Sequence, residues 1–230
     1  MKSLASRMIA EEAMDSPDLD PAIYDAVLHD LGRVNRVTLA ARPTLAFLKR
    51  AAASAQSLKI LDVGYGDGGM LRAIARRAAA RGIAAACTGI DLNPHSAATA
   101  RALTPSDLEI DYRTGDYAAL AGQGWDVIVS SLVVHHMSHG ELIAFLRFME
   151  AEAARGWFVN DLHRHRLAHI GYPLLARLMR WHPIVRADGR LSIARSYRPG
   201  EWPAILEAAG AEHARVYRAF PFRLCVERLR

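Results

Sequence analysis

Leu61-Asp62-Val63-Gly64-Tyr65-Gly66-Asp67-Gly68 decides how this chain is read. The residues before it, Leu58-Lys59-Ile60, complete a short apolar run of the kind that forms a buried strand. After it, an Ala- and Arg-rich stretch over 70–81 has helical character and closes at Gly82. Three glycines between a strand and a helix allow a tight turn and let a ligand lie on bare backbone. In open α/β sheets, ligands bind at the carboxyl ends of such strands.

Working outward, strand and helix alternate. Strands are expected at 84–90, 108–112, 125–130 and 157–159. Helices are expected from Asn93-Pro94 onward and over 139–153. This alternation predicts a mostly parallel sheet covered on both faces. Upstream, Ile23, Val27, Leu28 and Leu31 recur at helical spacing over 20–31, and the helix either ends at Gly32 or continues through Val34 and Val37. Pro43 opens a second short helix carrying Leu45, Phe47 and Leu48. Residues 1–18 are polar and are read as loose. Downstream, a long helix is expected over 162–181, kinked or split at Pro173, followed by an irregular stretch over 182–198. A helix over 201–209 and two strands, 214–218 and 222–227, close the chain, antiparallel across Pro221. The expected organisation is an N-terminal helical cap over 1–50 and a sheet domain over 51–230, with a substrate-side helical insertion over about 162–200.

Composition excludes several classes. Hydrophobic residues make up 51% and charged residues 23%, as in ordinary globular proteins. No run reaches the roughly 20 apolar residues of a membrane span, and 1–12 lacks the apolar centre of an export signal. Cys87 and Cys225 stand far apart in apolar surroundings, which fits buried free thiols and a reducing, cytoplasmic setting. The net charge of +5 is concentrated at the end: residues 155–230 hold fourteen Arg against six acids. The arginines are scattered and not interleaved with aromatics, which disfavours nucleic acid as the partner. Oligomeric state stays open between monomer and homodimer.

The acids narrow the ligand. Asp91 ends the second strand, 23 residues past Gly68, where a carboxylate accepts from adenosine ribose hydroxyls. Asp62 would repel a pyrophosphate and suits an ammonium. Asp116, in Thr114-Gly115-Asp116-Tyr117, follows the third strand and can accept from an adenine amino group. The glycines also lack the G-x-G-x-x-G spacing of the dinucleotide fold.

In order, Asp62-Val63-Gly64-Tyr65-Gly66-Asp67-Gly68, Gly89-Ile90-Asp91-Leu92-Asn93-Pro94, Gly115-Asp116 and Trp125-Asp126-Val127-Ile128-Val129-Ser130 resemble the motifs of class I, Rossmann-like S-adenosylmethionine-dependent methyltransferases. The resemblance spans about 57–160. It implies a three-layer α/β fold with a seven-stranded, mostly parallel sheet and a C-terminal antiparallel hairpin. It also implies S-adenosyl-L-methionine as cofactor, held by Asp62, Gly64, Tyr65, Gly66, Gly68, Asp91, Leu92, Asp116, Tyr117 and Ser130. Tyr65 departs from the pattern, which has a small residue or Cys there, and is expected to narrow the site or pack over the cofactor. Ser130-Ser131-Leu132-Val133-Val134-His135-His136-Met137 resembles the quinone methyltransferase group. Asn160-Asp161-Leu162-His163-Arg164 resembles bacterial enzymes acting on polyketides or phenols.

These resemblances imply O-methylation of a small-molecule acceptor, with C-methylation of a quinone or phenol ring as the alternative. RNA methylation and a non-catalytic cofactor-binding partner remain further readings. A neutral His is a suitable base for a phenol of pKa about 10 near pH 7. His136 is preferred, then His163 and His135, with His165 also at the rim. For each, the plain alternative is a helix cap or a backbone hydrogen bond. Asn35, Arg36, Tyr172, Trp181 and Tyr197 are candidates to contact the acceptor. No metal is expected, because Ser130 stands where a catechol-type ligand set needs its first Asp, and His163 and His165 are badly spaced to ligate together.

Overall fold

The computed structural model describes residues 4–16 and 18–230; residues 1–3 and Pro17, part of the stretch read as loose, lie outside it. Seven strands form one sheet: β1 (Ser57–Val63), β2 (Ala84–Asp91), β3 (Ile110–Thr114), β4 (Trp125–Ser131), β5 (Ala153–Leu162), β6 (Arg215–Ala219) and β7 (Arg223–Leu229). Their order is β3-β2-β1-β4-β5-β7-β6. The first five run parallel, and β7 inserts antiparallel between β5 and β6. The order reverses between β1 and β4, where Val63 pairs with Ser130. That reversal opens a crevice at the strands' carboxyl ends.

Side chains alternate across the pleat. Leu61, Ile128 and Trp157 face one layer, built from α5 (His139–Glu152) and α8 (Trp202–Ala209). Ile60, Val127 and Phe158 face the other, with α2 (Ala41–Ala51), α3 (Gly69–Ala79) and α4 (Pro94–Ala102). Phe47 of α2 stacks on Phe158 at 5.0 Å. A third core joins α1 (Pro21–Val37) to α6 (Arg166–Leu178) and α7 (Pro183–Arg195) through Val27, Val34, Ala176, Trp181 and Val185. Cys87 and Cys225 are buried and free. Among the described residues, no helix is long and apolar enough to cross a membrane.

Three expectations are corrected. The first concerns the helix placed over 162–181: β5 runs on to Leu162, and α6 starts at Arg166, capped by His165, whose side chain accepts from the Leu167 amide. Second, the stretch over 182–198 is helical as α7. Its buried face carries Asp188, Ser192 and Arg195 beside Val185 and Ile193, so no apolar periodicity marks it. Third, residues 4–16 are not loose. They form a strap over α7, with the Met8 amide donating to the Ala194 carbonyl at 3.1 Å. The Ala13 and Met14 amides donate to the two oxygens of Asp188, at 3.1 and 3.0 Å. Arg7 donates to the carbonyls of Arg195, His135 and Met137 and to the Tyr197 hydroxyl.

Candidate functional site

The glycine loop leaves β1 in left-handed backbone. Gly64 sits at φ +77°, and a Cβ there would lie 2.2 Å from Val133 Cγ2. Val133 is β-branched and stiff. Gly64→Ala is therefore expected to destabilise the fold by about 2 kcal/mol, read as a melting point lower by roughly 4–8 °C. The Gly66 amide donates to Asp91 Oδ2 and the Asn93 amide to Asp91 Oδ1, both at 2.9 Å. Asp91 thus ties the loop to the end of β2, and with the Ser96 side chain also bonded to it, its carboxylate is partly engaged.

Gly68 caps α3 at φ +74° against the Tyr112 hydroxyl and takes no part in lining the cavity. Tyr65 turns its ring inward. It packs against Tyr112 at 5.0 Å and over Gly89, with its hydroxyl buried and unpartnered among the described residues. A Tyr is accommodated there because Gly89 has no side chain to oppose it. From there Tyr65 still borders the large cavity.

Asp62 is the electrostatic centre. Its side chain is 1% exposed, and neither carboxylate oxygen has a hydrogen-bond partner among the described residues. Burial, with the charges of Asp91 and Asp67, pushes its pKa up to about 8. A buried anion without a partner is costly, and Asp62 borders a cavity of about 1520 Å³. A cationic group entering there would supply what the fold withholds. A methionine ammonium fits this donor-poor carboxylate, and a pyrophosphate does not.

Asp116 and Tyr117 border the same cavity. One Asp116 oxygen accepts from the Ala118 amide at 2.8 Å, and Tyr117 packs on Phe145 and Phe148. Leu92 is exposed at the rim. Ser130 is displaced from its expected place: its hydroxyl donates to the Val63 carbonyl at 2.9 Å, and Ser131 borders the cavity instead.

The strap brings two acids to the histidines. His136 borders the cavity, its Nδ1 3.0 Å from Asp15 Oδ2 and its Nε2 3.9 Å from Glu12 Oε2. His135 is buried beside it, with Nδ1 2.7 Å from Asp161 Oδ1 and Nε2 3.7 Å from Glu12 Oε1. Burial raises the Glu12 carboxyl to about 7. Burial also works to raise Asp15, but the hydrogen bond and charge of His136, with Arg195, outweigh it and leave Asp15 below its ordinary value. Asp161 is likewise held down, burial being overcome by His135. Donor atoms of Glu12, His135 and His136 lie within 4.8 Å of one another, close enough for a metal ion. Arg195 Nη1, 3.7 Å from Glu12 Oε1, already sets a cation against that carboxylate.

Other expected residues fall elsewhere. His163 is buried outside the cavity lining, held to about 4 by burial and by the neighbouring His165 and arginines. His165 caps α6 and stacks on Phe222 at 5.2 Å. Trp181 belongs to the core between α1, α6 and α7. Tyr197 lies beneath Arg7, packed on Trp202. Asn35, Arg36 and Tyr172 do border the cavity, and Asn35 Oδ1 is buried without a partner among the described residues. The Tyr172 hydroxyl is committed to the Val185 carbonyl at 2.7 Å. The residues missed from sequence are Glu12, Asp15 and Arg195; Asp161 was singled out only within the segment Asn160-Asp161-Leu162-His163-Arg164, without its part beside His135.

Residues 60–153 match a family described as a methyltransferase domain. The chain is 36% identical over 112 residues to a ubiquinone biosynthesis O-methyltransferase of Bartonella quintana, covering 47% of this chain and 43% of that one. To one from a Chelativorans species it is 31% identical over 166 residues, covering 70% and 61%. The chain thus spans less than two thirds of these relatives' length. Among solved structures it resembles a SAM-dependent methyltransferase from Aquifex aeolicus, with TM-score 0.62, 19% identity and coverage of 91% and 98%. It also resembles magnesium protoporphyrin IX methyltransferase from Synechocystis PCC 6803 with bound SAH, with TM-score 0.58, 17% identity and coverage of 94% and 90%.

Proposed function

We propose that the protein is a class I, S-adenosylmethionine-dependent methyltransferase, as the methyltransferase-domain match over residues 60–153 supports, and that it methylates a hydroxyl of a small aromatic or polyketide-like molecule, without a metal and with His136 as general base. The observation that carries this reading is the buried, unpartnered carboxylate of Asp62 beside the cavity. Asp62 would hold the ammonium of the cofactor, the Asp91 carboxylate its ribose hydroxyls, and the open oxygen of Asp116 its adenine amino group. When bound, the cofactor supplies an electrophilic methyl group on a sulfonium.

The chain's own residues align, exclude water and move one proton. Asp15 accepts from His136 Nδ1, which fixes the tautomer and leaves Nε2 to take the acceptor's proton. Glu12, half-protonated near pH 7, lies beside Nε2 and stabilises the imidazolium that results. The relatives' names favour oxygen over ring carbon as the methylated atom.

Calorimetry with S-adenosyl-L-methionine, its demethylated product and NAD tests the premise, and binding of NAD alone would overturn it. A labelled-methyl screen of phenols, quinones and polyketide-like compounds then names the acceptor, and product analysis separates oxygen from carbon methylation. Full turnover in EDTA is expected. Loss that a divalent ion restores would instead make ligands of Glu12, His135 and His136. Removing residues 1–16 should lower turnover at least about tenfold, by taking both acids from His136. Cofactor affinity should stay within about threefold, because the strap does not hold Asp62, Asp91 or Asp116.

A further inference from the structure

Helix α6 is apolar on two opposite faces. Inward it buries Ala168 and Ala176. Outward, at spacings of three and four, stand Leu167, Ile170, Leu174 and Leu178, which are 65, 52, 69 and 78% exposed. A surface helix ordinarily places polar side chains there. Arg166 and Arg177 flank this stripe on the helix, and Arg180 follows in the turn beyond; all three are exposed. The segment 162–187 holds five Arg, four His and no Asp or Glu.

The apolar surface continues past the helix. Phe222, stacked on the α6 cap residue His165, and Phe220, 78% exposed, sit on the turn between β6 and β7. Leu167 and Phe222 also line the large cavity, so the patch forms part of its rim.

We infer that this face docks on an anionic lipid bilayer. The stripe lies in the boundary between headgroups and acyl chains, and Arg166, Arg177 and Arg180 meet the headgroup phosphates. At 13 residues α6 is too short to span the bilayer, so the contact is peripheral. A second copy of the chain suits the face poorly. A two-fold contact through α6 would bring arginine-flanked stripes together with no acid in 162–187 to neutralise them. On the bilayer, the cavity rim meets the lipid, and a lipid-dissolved acceptor enters without crossing water. That last consequence rests on the methyl-transfer reading; the docking does not.

The test is co-sedimentation of the full chain with vesicles of phosphatidylcholine alone and of equal parts phosphatidylcholine and phosphatidylglycerol. Binding to the mixed vesicles is expected, at least about tenfold tighter than to phosphatidylcholine and weakened by salt. Leu174→Glu with Leu178→Glu should weaken it at least about tenfold, and Arg166→Gln with Arg177→Gln should remove the preference for anionic lipid. Neither pair lines the cavity, so melting point and cofactor affinity should hold in both variants. Absence of vesicle binding, or undiminished binding by the Glu variant, overturns the inference. So does a dimer in sedimentation equilibrium that the Glu variant dissolves. Failure here leaves cofactor binding untouched, and failure of cofactor binding leaves the vesicle result standing.

Discussion

Replacing Asp62 with Asn is expected to weaken S-adenosyl-L-methionine binding at least about a hundred-fold while making the cofactor-free protein more stable. Breaking a buried charge pair costs roughly 3–5 kcal/mol, and 1.4 kcal/mol is tenfold in Kd. The gain in stability follows from the same carboxylate. Its pKa is about 8 in the fold against an ordinary 3.8. Between those values the folded state binds more protons than the unfolded chain, so stability falls as pH rises. Glu12, raised to about 7, adds to the fall over the lower part of that range. Asn removes the Asp62 share. The difference between variant and native protein should be absent below about pH 4 and full above about pH 8. Allowing for a buried amide in its place, a net gain of about 1–2 kcal/mol is expected, or roughly 2–8 °C in melting point. Melts at pH 5 and pH 8 with calorimetry at pH 8 check both halves. Unchanged affinity would remove Asp62 from the site.

His136→Ala should lower turnover by about 10²–10⁴, the usual contribution of a positioned base. Cofactor affinity should change little, since His136 lies on the side of the cavity formed with the strap. His135→Ala provides the contrast. His135 is buried and bonded to Asp161 through both its ring and its amide, so its loss should show first as a lower melting point. If His136→Ala keeps full turnover, the base lies elsewhere. If turnover falls but the acidic limb of the kcat/KM profile is unchanged, His136 positions the acceptor and does not take its proton.

The parallel strands β1, β2 and β4 were legible because strands buried on both faces read as apolar runs. The acids at or just past the ends of β1, β2 and β3 were legible because crevices of this topology form at carboxyl ends. Helix α7 was not, because what it buries toward the strap is Asp188, Ser192 and Arg195, and polar complementarity has no period to detect. Ser130 and Ser131 show the limit at one residue: the pleat sends neighbours to opposite sides, and the motif alone did not say which faces the cavity. His163 and Tyr197 are near the right strands, but burial and neighbouring arginines decide their surroundings, and those come from distant segments.

The strap also bears on when the site comes into being. The contacts of Arg7 with Tyr197 and of Ala13 with Asp188 join residues 190 and 175 positions apart. Closing so long a loop is entropically costly, and such contacts form late in folding. A ribosome therefore releases the acids Glu12 and Asp15 first, yet they reach His136 only after α7 has emerged and packed. The strap is made before α7 but seated after it, and amide exchange at Ala13 and Met14 should report a shallower opening of the native state than the sheet strands do.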